Sequence, residues 1–283
     1  MAPPSYVDIG SWARNVLTKG YHFGLWKIMC NAKTTAGLDL NSTGYSKEDD
    51  GKVFGQLDSK YVIPDYGLTL IEKWNTDNKL FAEVSCSDKI AEGVKVGIKG
   101  SYELNTREKE GKIFGAYSHE NVKFDISCDI DTNGPNVDAS LVLGYNSFLG
   151  GLSTQLNTQD WSLNKNNFAL GYEKDELAVH VELKDLEEFT GAIYYRCADN
   201  IEAALQGNFK SEGEENKLSI GAVYHLEDSS AKLRAKINTD GQLGLGYQQK
   251  VRDGVTFFLC GLIEGTDIGG GAHKLGAAVE ISA

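Results

Sequence analysis

A carboxylate set in an apolar row is the first residue of this chain that calls for a chemical explanation. Glu72 follows Leu68 and Leu70 and precedes Trp74, in a stretch that alternates with Gly67, Thr69, Ile71 and Lys73. On a strand these four would share one face. If that face meets hydrocarbon, an acid there is expensive and marks a functional position. Other apparent motifs carry less. Asp129-x-Asp131-x-Asn133-Gly134 begins like a calcium loop, but Ser140 stands where the bidentate glutamate belongs, and the flanks alternate like strands. Gly269 to Lys274 lacks the phosphate-loop spacing. Asn41-Ser42-Thr43 is a glycosylation sequon, which matters only in a secreted chain. The 5 cysteines (Cys30, Cys86, Cys128, Cys197, Cys260) have no CxxC spacing and read as free thiols of a reducing compartment. The 5 histidines are scattered. No metal site, required cofactor or nucleophile–base pair is expected, and hence no enzyme.

The elements that carry these residues are strands. From Lys52 to the end, apolar and polar residues alternate with period two: Val53, Gly55, Leu57, Ser59 and Tyr61 against Gln56, Asp58 and Lys60; Val94, Val96 and Ile98 against Lys95, Gly97 and Lys99; Val122, Phe124 and Ile126 against Lys123, Asp125 and Ser127. Short polar turns separate the runs, among them Asp77-Asn78, Asp131 to Gly134, Asp199-Asn200, Glu212-Gly213, Asp240-Gly241 and Asp253-Gly254. With weaker segments near Leu25, Leu38, Leu80, Ile113, Leu152 and Phe168 the reading reaches 19 strands. At about 8–11 residues each, they are long enough to cross a bilayer when tilted. Seven apolar rows end in tyrosine: Tyr61, Tyr117, Tyr145, Tyr172, Tyr195, Tyr224 and Tyr247. One tyrosine per hairpin at one rim is what a membrane–water interface selects.

The segment Pro3 to Phe23 keeps a different rhythm. Tyr6, Ile9, Trp12, Ala13, Val16 and Leu17 fall on one face of a helix, with Asp8, Ser11, Arg14, Asn15, Thr18 and Lys19 on the other, and Gly20 as a stop. No run of apolar residues is long enough for a membrane helix, and neither a secretory signal nor an Arg-rich transit peptide is expected. The mean hydropathy of -0.32 does not exclude a membrane barrel, which exposes only alternate residues to lipid. No composition shift marks a domain boundary. The expected organisation is an N-terminal pore-lining helix over 1–24 and a transmembrane barrel over 25–283. The fold class is all-β: a 19-stranded transmembrane β-barrel with the amphipathic helix inside a polar lumen, since so wide a ring cannot be filled by side chains.

Several stretches resemble the mitochondrial voltage-dependent anion channels from end to end: Met1-Ala2-Pro3-Pro4, Lys19-Gly20-Tyr21, Tyr66-Gly67-Leu68-Thr69, Glu72-Lys73-Trp74-Asn75-Thr76-Asp77-Asn78, Leu141 to Tyr145, Gly244-Leu245-Gly246-Tyr247 and His273-Lys274-Leu275-Gly276. That family is already known for its 19 strands, so the count is not independent of the likeness. The resemblance implies a channel of the outer mitochondrial membrane passing ATP, ADP, NADH, organic anions and small ions. It also implies parallel pairing of the first and last strands, because an open edge cannot face lipid.

The same resemblance implies site residues and partners. Nucleotide contact maps to Lys19, with Ser11 standing where the family has a second helix lysine; Arg14, Asn15 and Lys19 are the implied pore face of the helix. A nicotinamide-nucleotide region maps to Gln242, Leu243 and Gly244 and to Cys260, Gly261, Leu262, Ile263 and Glu264. Glu72 matches a glutamate tied to gating, lipid contact and hexokinase. Expected partners are the lipid bilayer, metabolite nucleotides, hexokinase, apoptosis regulators and a further copy of the chain; nucleic acid is not expected. Rival readings are a protein-import barrel of the same membrane and a soluble ligand-binding barrel.

Charge adds one expectation. The net charge is -12, odd for an anion channel. The inward rows nevertheless carry Lys95, Lys99, Lys123, Lys232, Arg234 and Lys236, while acids crowd the connections: Glu48 to Asp50, Asp185 to Glu188, Glu212 to Glu215, Glu227-Asp228, Glu264 and Asp267. A basic wall favours anions in transit and acidic mouths concentrate cations.

Overall fold

Every alternating run becomes a strand. The computed structural model describes residues 2–49, 51–130, 134–211, 216–227, 230–266, 269 and 271–283. Its strands are β1 (Leu25–Lys33), β2 (Leu38–Lys47), β3 (Val53–Ile63), β4 (Leu68–Asn75), β5 (Lys79–Ser87) and β6 (Val94–Glu103). There follow β7 (Lys109–His119), β8 (Val122–Asp129), β9 (Asn136–Tyr145), β10 (Phe148–Asn157), β11 (Ser162–Lys174), β12 (Leu177–Lys184) and β13 (Glu188–Ala198). The last are β14 (Ile201–Lys210), β15 (Lys217–His225), β16 (Ala231–Asn238), β17 (Gln242–Arg252), β18 (Val255–Glu264) and β19 (Lys274–Ser282). Each pairs with the next in sequence, and β1 also pairs with β19, so the protein is a closed 19-stranded barrel. The Gly24 amide donates to the Leu275 carbonyl at 2.9 Å, placing the start of β1 beside the start of β19. The two closing strands therefore run in the same direction, as an odd number requires. Tight reversals are made where left-handed backbone is tolerated, at Asn78, Asn146, Gly241 and Gly254. The expected turns at Asp131–Asn133 and Glu212-Gly213 lie outside the described residues.

By packing, the chain divides into two units, one of residues 1–9, 31–43 and 54–170, the other of 10–30, 44–53 and 171–283. In the first, Leu70 lies opposite Tyr61 and Val84, and the row continues through Ile98 to Ile113. In the second, Leu233 lies opposite Tyr224 and Tyr247, with Leu259 next. Apart from the half-buried Leu70, these side chains are exposed. Apolar surface this continuous does not face water; it faces lipid. Tyr61, Tyr117, Tyr145, Tyr172, Tyr195 and Tyr224 lie near the C-terminal ends of odd-numbered strands, while Tyr247 lies at the middle of β17 and departs from the expected row of strand-end tyrosines.

The alternate row is polar. It holds Lys95, Lys99, Lys123, Lys232, Arg234 and Lys236 beside acids such as Glu83, Asp125, Asp129 and Glu202. Lys112 bonds to Asp129 at 2.7 Å and lies 3.6 Å from Asp138, while Lys95 lies 3.6 Å from Glu83. Of the acids expected in connections, Glu188 begins β13 and Glu264 ends β18, so both belong to the wall. Asp50, Glu212 to Glu215, Asp228 and Asp267 lie outside the described residues, as does Met1 of the resembling N-terminal motif.

The N-terminal segment is less continuous than its periodicity predicts. Tyr6–Asp8 form a 3₁₀ turn, and only α1 (Ser11–Thr18) is α-helical. Between them Gly10 adopts φ 72°, a left-handed conformation that breaks the helix and is adopted at little cost by glycine.

Candidate pore site

The short helix lies on the polar face of the wall. Ala13, Val16 and Leu17 are buried against Ala192 and Tyr194 of β13, Ala204 of β14 and Val223 of β15. These wall residues alternate with the lipid-facing Ile193, Tyr195 and Tyr224, so α1 sits on the opposite, lumenal side. Small residues make room for it: a Cβ on Gly221 would come within 2.8 Å of the Leu17 side chain. Burying the three apolar side chains is the main force that docks α1, at about 1.5–3 kcal/mol for a fully buried Val or Leu. The preceding turn buries Tyr6 and Ile9 with Val142 and Ala169.

Trp12 departs from expectation. It belongs by spacing to the apolar face, yet it is 43 % exposed. Its indole N–H donates to Glu173 Oε1 at 2.6 Å and its ring lies 5.7 Å from that of Tyr194. At the other end of α1, Lys236 Nζ donates to the Leu17 carbonyl at 2.9 Å and lies 4.5 Å and 5.3 Å from the ring centroids of Tyr21 and Phe23. A cation at the C-terminal carbonyls of a helix also complements its dipole. Cys260 Sγ lies 3.2 Å from the Gly20 carbonyl, so the linker after α1 is held to β18 as well.

The linker carries two perturbed groups. Burial pushes the Tyr21 phenol to about 12, with Arg234 pulling partly against it. Burial, with a smaller push from Lys27, holds the His22 imidazole below its usual value of 6.5. His22 is thus favoured neutral when the linker is docked, its ring edge-on to Phe258 at 5.4 Å. The released linker binds the extra proton, so docking is full at neutral pH and weakens as pH falls below about 6.5 toward the lowered value. Protection of the amides over 20–24, taken relative to the intrinsic exchange rate at each pH, should therefore fall between neutral and mildly acidic pH, and His22→Gln should remove most of that change. An equal loss of protection in both proteins would refute the assignment to His22.

The residues of the expected pore face differ in exposure. Arg14 and Lys19 are exposed on α1 and its C-cap, while Ser11 and Asn15 are half-buried. The expected nicotinamide region divides between faces. Gln242 lies opposite Glu264, Gly244 opposite Leu262 and Gly246 opposite Cys260 on the lumenal row; the Gln242 amide bonds to Glu264 at 2.6 Å. Leu243, Gly261 and Ile263 alternate with them and point to the lipid side. Glu72 is on the outer row, between Ser59 and Ala82 on its neighbours and flanked along the strand by Leu70 and Trp74. The next residue, Lys73, faces the lumen, its ammonium 5.8 Å from the Phe81 ring centroid. Among the described residues no group of His, Cys, Asp or Glu is arranged to hold a metal ion. Periodicity contained no sign of Glu173 or Lys236 as partners of the N-terminal segment, because each lies far along the chain.

A wide closed barrel with an apolar exterior and an internal helix narrows the candidates, and sequence comparison decides among them. Residues 2–276 match the family model described as eukaryotic porin. The chain is a eukaryotic porin of the voltage-dependent anion channel family. It is 47% identical over 283 residues to a voltage-dependent anion-selective channel of Drosophila melanogaster, covering 100% of both chains. A non-selective voltage-gated ion channel VDAC2 of Xenopus laevis is 40% identical, with 99% of both covered. Among solved structures, a mutant Rhodopseudomonas blastica porin superposes with a TM-score of 0.51 at 11% identity, over 86% of this chain and 98% of that one. That likeness concerns the barrel fold alone. This porin is thus a voltage-gated channel of the membrane-barrel type.

Proposed function

We propose that this porin mediates passive diffusion of ions and small metabolites (ATP, ADP, NADH, organic anions) across the mitochondrial outer membrane, with weak selectivity shifted toward cations relative to family members with basic mouths. No chemical step is part of this role. The observation that carries the selectivity is the placement of charge. On the wall cations stand beside acids, as Lys95 with Glu83 and Lys112 with Asp129, whereas the described connections add a further set of acids at the mouths. Lys95, Lys99, Lys123, Lys232, Arg234 and Lys236 sit on the lumenal row, while Glu48, Asp49, Asp185, Glu187 and Glu227 sit in the connections. Cations gather at the mouths and anions are favoured along the wall, so the two preferences oppose each other. The relatives' names, one anion-selective and one non-selective, fit a family in which this balance varies.

Phosphates of a passing nucleotide would meet Arg14 and Lys19, which are exposed. Ser11 supplies no charge, so contact is brief and nucleotides are permeants or weak ligands. Gln242, Gly244 and Glu264 would line the path of a nicotinamide nucleotide. Glu72, on the outer row, would serve gating, bilayer contact and hexokinase docking; apoptosis regulators and a second copy of the chain are further candidate partners.

A reversal potential in a planar bilayer tests the proposal. Across a salt gradient it should be small and lean toward cations, more so as salt is lowered and screening falls. Clear anion preference at low salt overturns the selectivity, and absence of stepwise conductance overturns the channel.

A further inference from the structure

We propose that Trp12, Glu173 and Tyr194 form a latch that positions the first turn of α1 on the wall and thereby sets the voltage at which the channel closes. The proposal rests on the voltage-gated character of the family. Helix α1 has a complete buried face without Trp12, made of Ala13, Val16 and Leu17. Burial therefore does not explain why an exposed indole is fixed between Glu173 and Tyr194. The 2.6 Å bond runs to an ionisable acceptor, which makes it charge-assisted when the carboxylate is ionised.

The start of α1 needs such a device. Its N-cap is Gly10, which offers no side-chain acceptor, and no side-chain cap bond is made there. The far end has Lys236 on the Leu17 carbonyl, roofed by Tyr21 and Phe23. The Trp12 bond is the more open of the two to lumenal water, so the first turn lets go first. Glu173 and Arg14 are charged groups at that end, on which a transmembrane field pulls in opposite directions. The latch is a positioning device; it touches no permeating ion.

Channel recordings on the full-length protein test it. Trp12→Phe keeps a ring but removes the donor, and should raise the closed-to-open ratio at fixed voltage about tenfold. Glu173→Ala should do the same, while Glu173→Gln, whose amide oxygen still accepts, should restore most of the wild-type ratio. The double variant Trp12→Phe/Glu173→Ala should be no worse than either single one. With Trp26, Trp74 and Trp161 changed to Phe, iodide quenching of Trp12 should rise in Glu173→Ala and not in Glu173→Gln. An unchanged ratio in Trp12→Phe, or independent multiplication of the two single effects, overturns the latch. Wild-type protein that conducts without voltage steps would instead remove the gating on which it rests. Unaltered open-state conductance in each variant confirms that the barrel has formed.

Discussion

Replacing Gly10 with valine is expected to unseat the N-terminal helix while leaving the barrel intact. Two effects act together. Gly10 holds φ 72°, where a residue with a side chain costs about 1–2 kcal/mol and a β-branched one more. A Cβ built there would also run into the ring of His180 on β12, and overpacking of this kind adds about 1–3 kcal/mol. The sum is comparable to the burial energy of Val16 and Leu17 that docks the helix. The expected result is a channel with noisier, shifted open conductance, rapid amide exchange over residues 11–18 and an unchanged melting transition of the barrel. Gly10→Ala should show a weaker form of the same defect. Protected amides over 11–18 in Gly10→Val would mean that the helix is held by something other than this geometry.

The second large effect concerns Glu72. Its neighbours across the ladder are Ser59 and Ala82, and the surrounding outer surface is Leu57, Leu70, Trp74 and Leu80. A carboxyl group on this surface loses hydration whether or not it is ionised, and draws water and headgroups toward it. Glu72→Leu should therefore stabilise the barrel in bilayers by about 2 kcal/mol, with no comparable gain in detergent micelles that let water in. Glu72→Gln should capture part of the gain and reduce local bilayer thinning. Equal stability of Glu72→Leu and wild type across bilayers of different thickness would place the side chain in water. A residue kept at this expense is a reasonable place to look for regulation, and gating should be recorded on the same variants.

Strands were the most legible part of the sequence, because period two over so many runs has one physical meaning. The count of nineteen coincides with a number already known for the family, and the likeness contributed to it. The helix was legible as an amphipathic segment but not in its details. Gly10 in the middle of a helical pattern was the available sign of a break, and periodicity alone cannot say whether glycine there bends the chain. Spacing puts Trp12 on the apolar face, whereas its indole N–H, a polar group, is bonded to Glu173. The alternation of Leu68, Leu70 and Trp74 puts Glu72 on the outer row, where it lies between Ser59 and Ala82. The contacts of Lys236 and Cys260 with Leu17 and Gly20 join opposite ends of the chain, and no local pattern encodes such a meeting.

The pairing of β1 with β19 has a bearing on how the molecule is made. Almost every other contact between strands is a hairpin, formed as soon as its second strand exists. The seam joins residues from the two ends of the chain, with the Gly24 amide on the Leu275 carbonyl, and it has the highest loop-closure entropy of any pairing here. Until β19 has been synthesised, two unpaired edges remain, and neither can be exposed to hydrocarbon. The edges of this barrel can thus be satisfied within the chain only once β19 is available to pair with β1. A nascent chain shorter by that strand should stay bound to whatever protein shields its edges.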